Sequence, residues 1–89
     1  MAQTAIHTRT ESVGTAYVLL GARPRSVLTV YAVSQDIHLV CGTEGIENAS
    51  DANAFLLPAG AALEMKPAPK GEIYVRSAAA GGQISYWYS

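Results

Sequence analysis

At residues 26–42 the chain reads SVLTVYAVSQDIHLVCG, two runs of β-favouring residues around the polar trio Ser34, Gln35 and Asp36. No other stretch limits the fold as tightly. Pairing Val33 with Ile37 across the trio sets Tyr31 opposite Leu39 and Thr29 opposite Cys41, with Val30 and Val40 on the other face. The expectation is an in-register hairpin. Its first strand is apolar, or nearly so, on both faces: Val27, Thr29, Tyr31 and Val33 on one, Leu28, Val30 and Ala32 on the other. A strand of that kind is central in its sheet or pressed against a neighbouring subunit.

The rest of the chain repeats the theme of short strands between turn residues. Residues 15–20 (TAYVLL) form a strand closed by Gly21, followed by the connector Ala22-Arg23-Pro24-Arg25, in which Pro24 stops the ladder. Residues 43–53 (TEGIENASDAN) are polar and turn-rich, read either as a contact loop or as a crossover between sheets. Residues 54–57 and 61–66 flank the turn Pro58-Ala59-Gly60, and KPAPKG at 66–71 is a proline-stiffened exposed connection. A second hairpin is expected from 71–77 (GEIYVRS) and 83–88 (QISYWY) across AAAGG, with Ile73 and Val75 facing Ile84 and Tyr86. Tyr74 and Arg76 then face Ser85 and Trp87, which allows a cation–π contact between Arg76 and Trp87. The tally is about seven short strands and no helix, an all-β antiparallel sandwich or jelly-roll-like domain over 14–89. Residues 1–13, polar and Thr-rich, are expected as an extended N-terminal arm, with a short strand near 5–8, that orders against a partner or else frays.

Composition bears on association more than on chemistry. A chain of 89 residues buries only about 60 to 65% of its unfolded surface. Cys41 has no partner cysteine to add a cross-link, so it reads as a buried free thiol. Apolar residues are 49% and charged residues 15%, low against the usual quarter, so apolar surface is left over for a partner or a second copy. The charge of −1 includes no clustered basic face for nucleic acid. Neither a signal peptide nor a run long enough to span a bilayer is visible, so no membrane partner is expected.

Candidate chemistry is sparse. His7 and His38 lack cysteine or carboxylate neighbours at metal-ligand spacing, and the acids are scattered, so no metal, cofactor, small molecule or catalytic role is expected. Arg23 and Arg25 suit an anion or an acidic surface, or simply flank a strand in solvent. The aromatics Tyr86, Trp87 and Tyr88 are the basis for a carbohydrate-binding alternative. Alternation puts Trp87 on the face opposite both tyrosines, which prevents one flat platform.

The order of elements resembles small β-sandwich virion proteins of tailed bacteriophages. The matching residues are Leu19-Leu20, 25–33, 37–42, Phe55-Leu56-Leu57-Pro58-Ala59-Gly60, and 71–77 with Gly81-Gly82. Such proteins often place Asn soon after the long central strand, where this chain has Tyr31-Ala32-Val33-Ser34. The resemblance implies a capsid decoration (cement) protein on the surface of the virion head, assembled in the bacterial cytoplasm. It also implies a homotrimer whose partner is the major capsid protein shell, with a tail, fibre or baseplate accessory as the alternative. Contact candidates on this reading are Ile6, His7, Arg9, Arg23, Arg25, Tyr31, Tyr74 and Trp87.

Overall fold

Alternating β-branched and aromatic residues, broken every few positions by Gly, Pro, Ser or Asp, leave the chain only short strands to form. A computed structural model describes residues 7–22, 24–43 and 45–89, and for His7 and Thr43 the backbone alone. The strands are β1 (His7–Val13), β2 (Val18–Leu19), β3 (Leu28–Ala32) and β4 (Ile37–Thr43), then β5 (Phe55–Leu57), β6 (Ala62–Met65), β7 (Glu72–Ser77) and β8 (Gly82–Tyr88). They form two four-stranded antiparallel sheets, a front sheet ordered β1-β8-β3-β6 and a back sheet ordered β2-β7-β4-β5. The fold is an all-β sandwich, as the sequence predicts. Among the described residues no helix is long and apolar enough to cross a membrane.

Neither expected hairpin exists. β3 and β4 lie in opposite sheets, and so do β7 and β8. Each pair is an arch that carries the chain from one layer to the other. At the first arch the turn residues bond to neighbouring turns instead of closing a ladder. Ser34 Oγ donates to Gly81 O at 2.9 Å, Asp36 Oδ1 accepts from Ala59 N–H at 2.9 Å, and Asp36 O accepts from Ala78 N–H at 2.9 Å. The crossover reverses which residues share a face. Leu28, Val30 and Ala32 point inward from the front sheet and meet Ile37 and Leu39 from the back sheet, all at 2% exposure or less. Tyr31 and Val33, expected beside Leu39 and Ile37, are on the outside of the front sheet.

Burial of Ile73 and Val75 with Ile84 and Tyr86 agrees with the expected grouping, though they meet across the core and not along one sheet. By the same geometry Arg76 and Trp87 lie on opposite outer faces, so the contact expected between them is absent. Instead, Arg76 Cζ lies 5.8 Å from the Tyr17 ring centre. As expected of its apolar faces, β3 is central, paired with β8 on one side and β6 on the other.

Residues 7–13 are not a free arm. They form the edge of the front sheet, with His7 opposite Tyr88 and Val13 opposite Gly82. Val13 is buried, and it commits the strand by turning one side of a polar sequence into the core. The rest of the expected arm, residues 1–6, lies outside the described residues. Cys41 is exposed, not buried: β4 is irregular between Cys41 and Thr43, where Gly42 adopts a positive φ of 76°, and the strand leaves the core there.

Candidate functional site

The outer faces of the two sheets are finished differently. On the back sheet Val40 lies opposite Tyr74, and both are buried, at 1% and 4% exposure, although they face away from the core. Their cover is the segment after β4, two single 3-10 turns at Ile46–Asn48 and Asp51–Asn53, laid back over the sheet. Two polar clusters pin it.

At the first, Glu72 Oε1 accepts from Gly45 N–H at 2.9 Å and from Tyr74 Oη at 2.7 Å. These bonds, the backbone one foremost, hold the Glu72 carboxyl below its ordinary pKa. The same carboxylate pushes the Tyr74 phenol up to about 12, since losing its proton would lose the bond and add a like charge. At the second, Asp51 receives Arg76 through both oxygens, Nε donating to Oδ1 at 2.8 Å and a terminal nitrogen donating to Oδ2. Tyr17 Oη donates to Asp51 Oδ1 at 2.7 Å. The fork of Arg76, then the Tyr17 hydroxyl, hold the Asp51 carboxyl well below the usual carboxylate range. Arg76 is raised in turn, by Asp51 first. His38 completes the group, with Nδ1 3.7 Å from Asp51 Oδ1 and Nε2 3.4 Å from the Arg76 guanidinium.

Tyr17, His38, Asp51 and Arg76 form the densest titratable group among the described residues, and its chemistry is that of a clasp. Asp51 is occupied on both oxygens by strong donors, which leaves it a poor base. Among the described residues no group of His, Cys, Asp and Glu could hold a metal ion. An open cleft of about 640 Å³ lies at the end of the sandwich, lined by Leu19, Pro24, Arg25, Pro67, Pro69 and Lys70 among others. Neither His38 nor Asp51 lines it.

The outer face of the front sheet carries no such pinned loop among the described residues, although Thr29 at its centre is only 9% exposed. Register places Thr8, Trp87, Thr29 and Glu64 in one row of its outer face and Thr10, Ser85, Tyr31 and Ala62 in the next. Trp87 is 38% exposed, Tyr31 is half-buried diagonally beside it, and Val33 is exposed on the same face of the chain. Tyr86 and Tyr88 take the other side, their rings stacked at 6.2 Å between centres, which agrees with the alternation expected for the three aromatics. More apolar surface lies at the back-sheet edges, on β2 (Val18 and Leu19) and β5 (Phe55 and Leu56).

The eight contact candidates therefore scatter. Tyr31 and Trp87 come together on the open face. Arg25 is exposed at the cleft, its N–H bonded to Ser89 O at 3.0 Å, and Arg9 is exposed on β1 with its guanidinium 3.9 Å from Glu11. Tyr74 is buried under the loop and donates its hydroxyl to Glu72. Ile6, Arg23 and the side chain of His7 lie outside the described residues. Phe55, Leu56, Val18 and Leu19 carry no sequence signal of their exposure, because nothing in a short apolar run shows that its strand is an edge.

No family model, curated protein or solved structure matches the chain.

Proposed function

We propose that the chain is a non-enzymatic virion structural protein, a capsid decoration protein that self-associates and stabilises a phage head shell. The observation that carries this reading is the contrast between the two faces. The back face is sealed by the chain's own loop, which uses its best polar chemistry in doing so. The front face stays open around Trp87 and Tyr31, aromatic residues of the kind that anchor interfaces. Exposed Val18, Leu19, Phe55 and Leu56 along the back-sheet edges add apolar surface suited to neighbours in an assembly. Many copies on a symmetric shell bind by avidity, so a small contact per copy suffices.

The test is co-sedimentation with empty capsid shells of the phage that encodes the chain, with Trp87→Ala beside the parent. Saturable binding that Trp87→Ala weakens, with its melting temperature held, supports the reading. Parent protein left wholly in the supernatant overturns it. Co-purification with tails alone favours the tail accessory. A tryptophan fluorescence change on a panel of free sugars, without shell binding, favours a carbohydrate module.

A further inference from the structure

Among the described residues four strands are sheet edges, and they are not equally exposed to pairing. β2, β5 and β6 have two, three and four residues, whereas β1 has seven. Short edges are the usual protection against strand addition, and β1 lacks it. Its free side can be read from the ladder behind it. Val33 N–H donates to Gln83 O at 3.0 Å, and Val27 and Ser89 exchange bonds of 3.1 and 3.3 Å, so the odd-numbered residues of β8 turn their backbone groups toward β3. The even-numbered ones, Gly82, Ile84, Tyr86 and Tyr88, turn theirs toward Val13, Glu11, Arg9 and His7. The N–H and C=O groups of Thr8, Thr10 and Ser12 then point outward from the sheet.

We infer that β1 pairs antiparallel with β1 of a second copy of this chain across a two-fold axis at Thr10, joining two front sheets into one continuous sheet. In that register Thr10 faces the partner's Thr10 and Thr8 faces the partner's Ser12, each facing pair exchanging both N–H···O bonds. Arg9 faces the partner's Glu11 and Glu11 faces the partner's Arg9, in the closer, non-hydrogen-bonded pairs. The two side chains are 59% and 37% exposed and lie 3.9 Å apart within one chain, beside the Tyr86 hydroxyl, so pairing across the axis exchanges this contact for two between copies. The neighbouring two-fold registers compatible with the outward groups fail on charge. One centres on Arg9 and sets it against the partner's Arg9; the other centres on Glu11 and sets two carboxylates together. Of these three registers charge selects the one centred on Thr10, and the occupant it selects is a second, antiparallel copy of the same strand.

The opposing possibility is that Arg9 and Glu11, on the core side of an edge strand, are charges that keep other strands away. The pairing deepens the self-association part of the proposed function and rests on none of its shell-binding part. An isologous pair also gives even copy numbers, unlike the trimer that the family resemblance implies.

Light-scattering mass of the full chain is the assay. Twice the 9.4 kDa chain mass, or an even multiple of it, is expected for the parent. Arg9→Glu alone and Glu11→Arg alone each place like charges across the axis and are expected to weaken pairing roughly tenfold or more. An equimolar mixture of the two variants sets carboxylates against guanidiniums again and is expected to restore the doubled mass. Thr10→Pro removes the outward N–H, and with it only the exposed bond of the Thr10 hydroxyl to Ser85 Oγ, so it is expected to keep the far-ultraviolet β signal and lose the pair. A monomeric or trimeric parent overturns the inference, as does a mixture no more associated than either variant alone. Shell binding by a monomeric parent would overturn the pairing and leave the decoration reading standing. A paired protein that ignores shells would do the reverse.

Discussion

Replacing Gly82 with alanine tests the packing of the second arch directly. Gly82 begins β8, pairs with Val13, and is buried. A Cβ added there would sit 2.3 Å from Ser77 Oγ, 2.5 Å from Ser77 Cβ and 2.9 Å from Val13 O. All three lie inside normal contact, and none can swing aside easily. Ser77 is fully buried, with Oγ bonded to Ala79 O, and Val13 O is backbone in a strand. Overpacking of a tight site costs about 1–3 kcal/mol, and contact with backbone puts this one near the top of the range. An unfolding entropy near 2.1 cal/mol/K per residue gives roughly 0.19 kcal/mol/K for this chain, so Gly82→Ala should lower the melting temperature by about 15 °C.

Gly14, next to Val13 in the chain, supplies a control. A Cβ added at Gly14 would meet nothing within 4 Å, so Gly14→Ala should be neutral or raise stability by up to about 1 kcal/mol. Thermal unfolding followed by circular dichroism reads both. A double-mutant cycle with Ser77→Gly should recover about 1–2 kcal/mol of the Gly82→Ala loss, because the closest atoms are gone. A Gly82→Ala protein melting within a couple of degrees of the parent would refute the close approach of the two sheets at this arch.

Other perturbations separate the clasp, the core and the edges. The Asp51 carboxyl is depressed in the folded state, so its stabilisation is complete above the ordinary carboxylate range, near pH 4, and is lost as pH falls through the folded value. Melting temperatures of the parent and Asp51→Asn should therefore differ at pH 7 and converge in acid; parallel curves would show that the clasp adds nothing. Tyr74 has the opposite sign: its contribution is complete below about pH 10 and fades as pH rises through about 12, and Tyr74→Phe should lose this alkaline sensitivity. Leu39→Ala should cost about 3 kcal/mol in chemical denaturation, because Leu39 is 2% exposed in the core. Leu56→Ser, at an edge and 48% exposed, should cost less than about 1 kcal/mol and act instead on association with neighbours.

Much of the fold is legible in residues 26–42 and 71–88, but in a limited sense. Alternation tells which residues of each strand share a side, and Leu28, Val30 and Ala32, or Ile73 and Val75, are indeed grouped as the spacing requires. It does not tell which strand lies beside which. A turn such as Ser34-Gln35-Asp36 can close a hairpin or cross between layers, and the choice here depends on bonds to Ala59, Ala78 and Gly81 far along the chain. The polar sequence of β1 gives little sign of a strand, because Val13 alone commits it visibly to the core and its pairing partner arrives last in the sequence. Asp51 and Arg76 stand 25 residues apart, each ordinary by itself, so the clasp has no local signal. Trp87 is legible as an outward aromatic, whereas the burial of Tyr74 is not, because its cover comes from a loop that spacing cannot place.

The most direct measurement of the proposed decoration role is the amount of chain that sediments with empty shells as its concentration rises. A saturable curve with a fixed number of copies per shell is expected, together with shells that resist heating better when the sites are full. A chain that stays in the supernatant at every concentration, and leaves the shells' melting unchanged, would contradict that role.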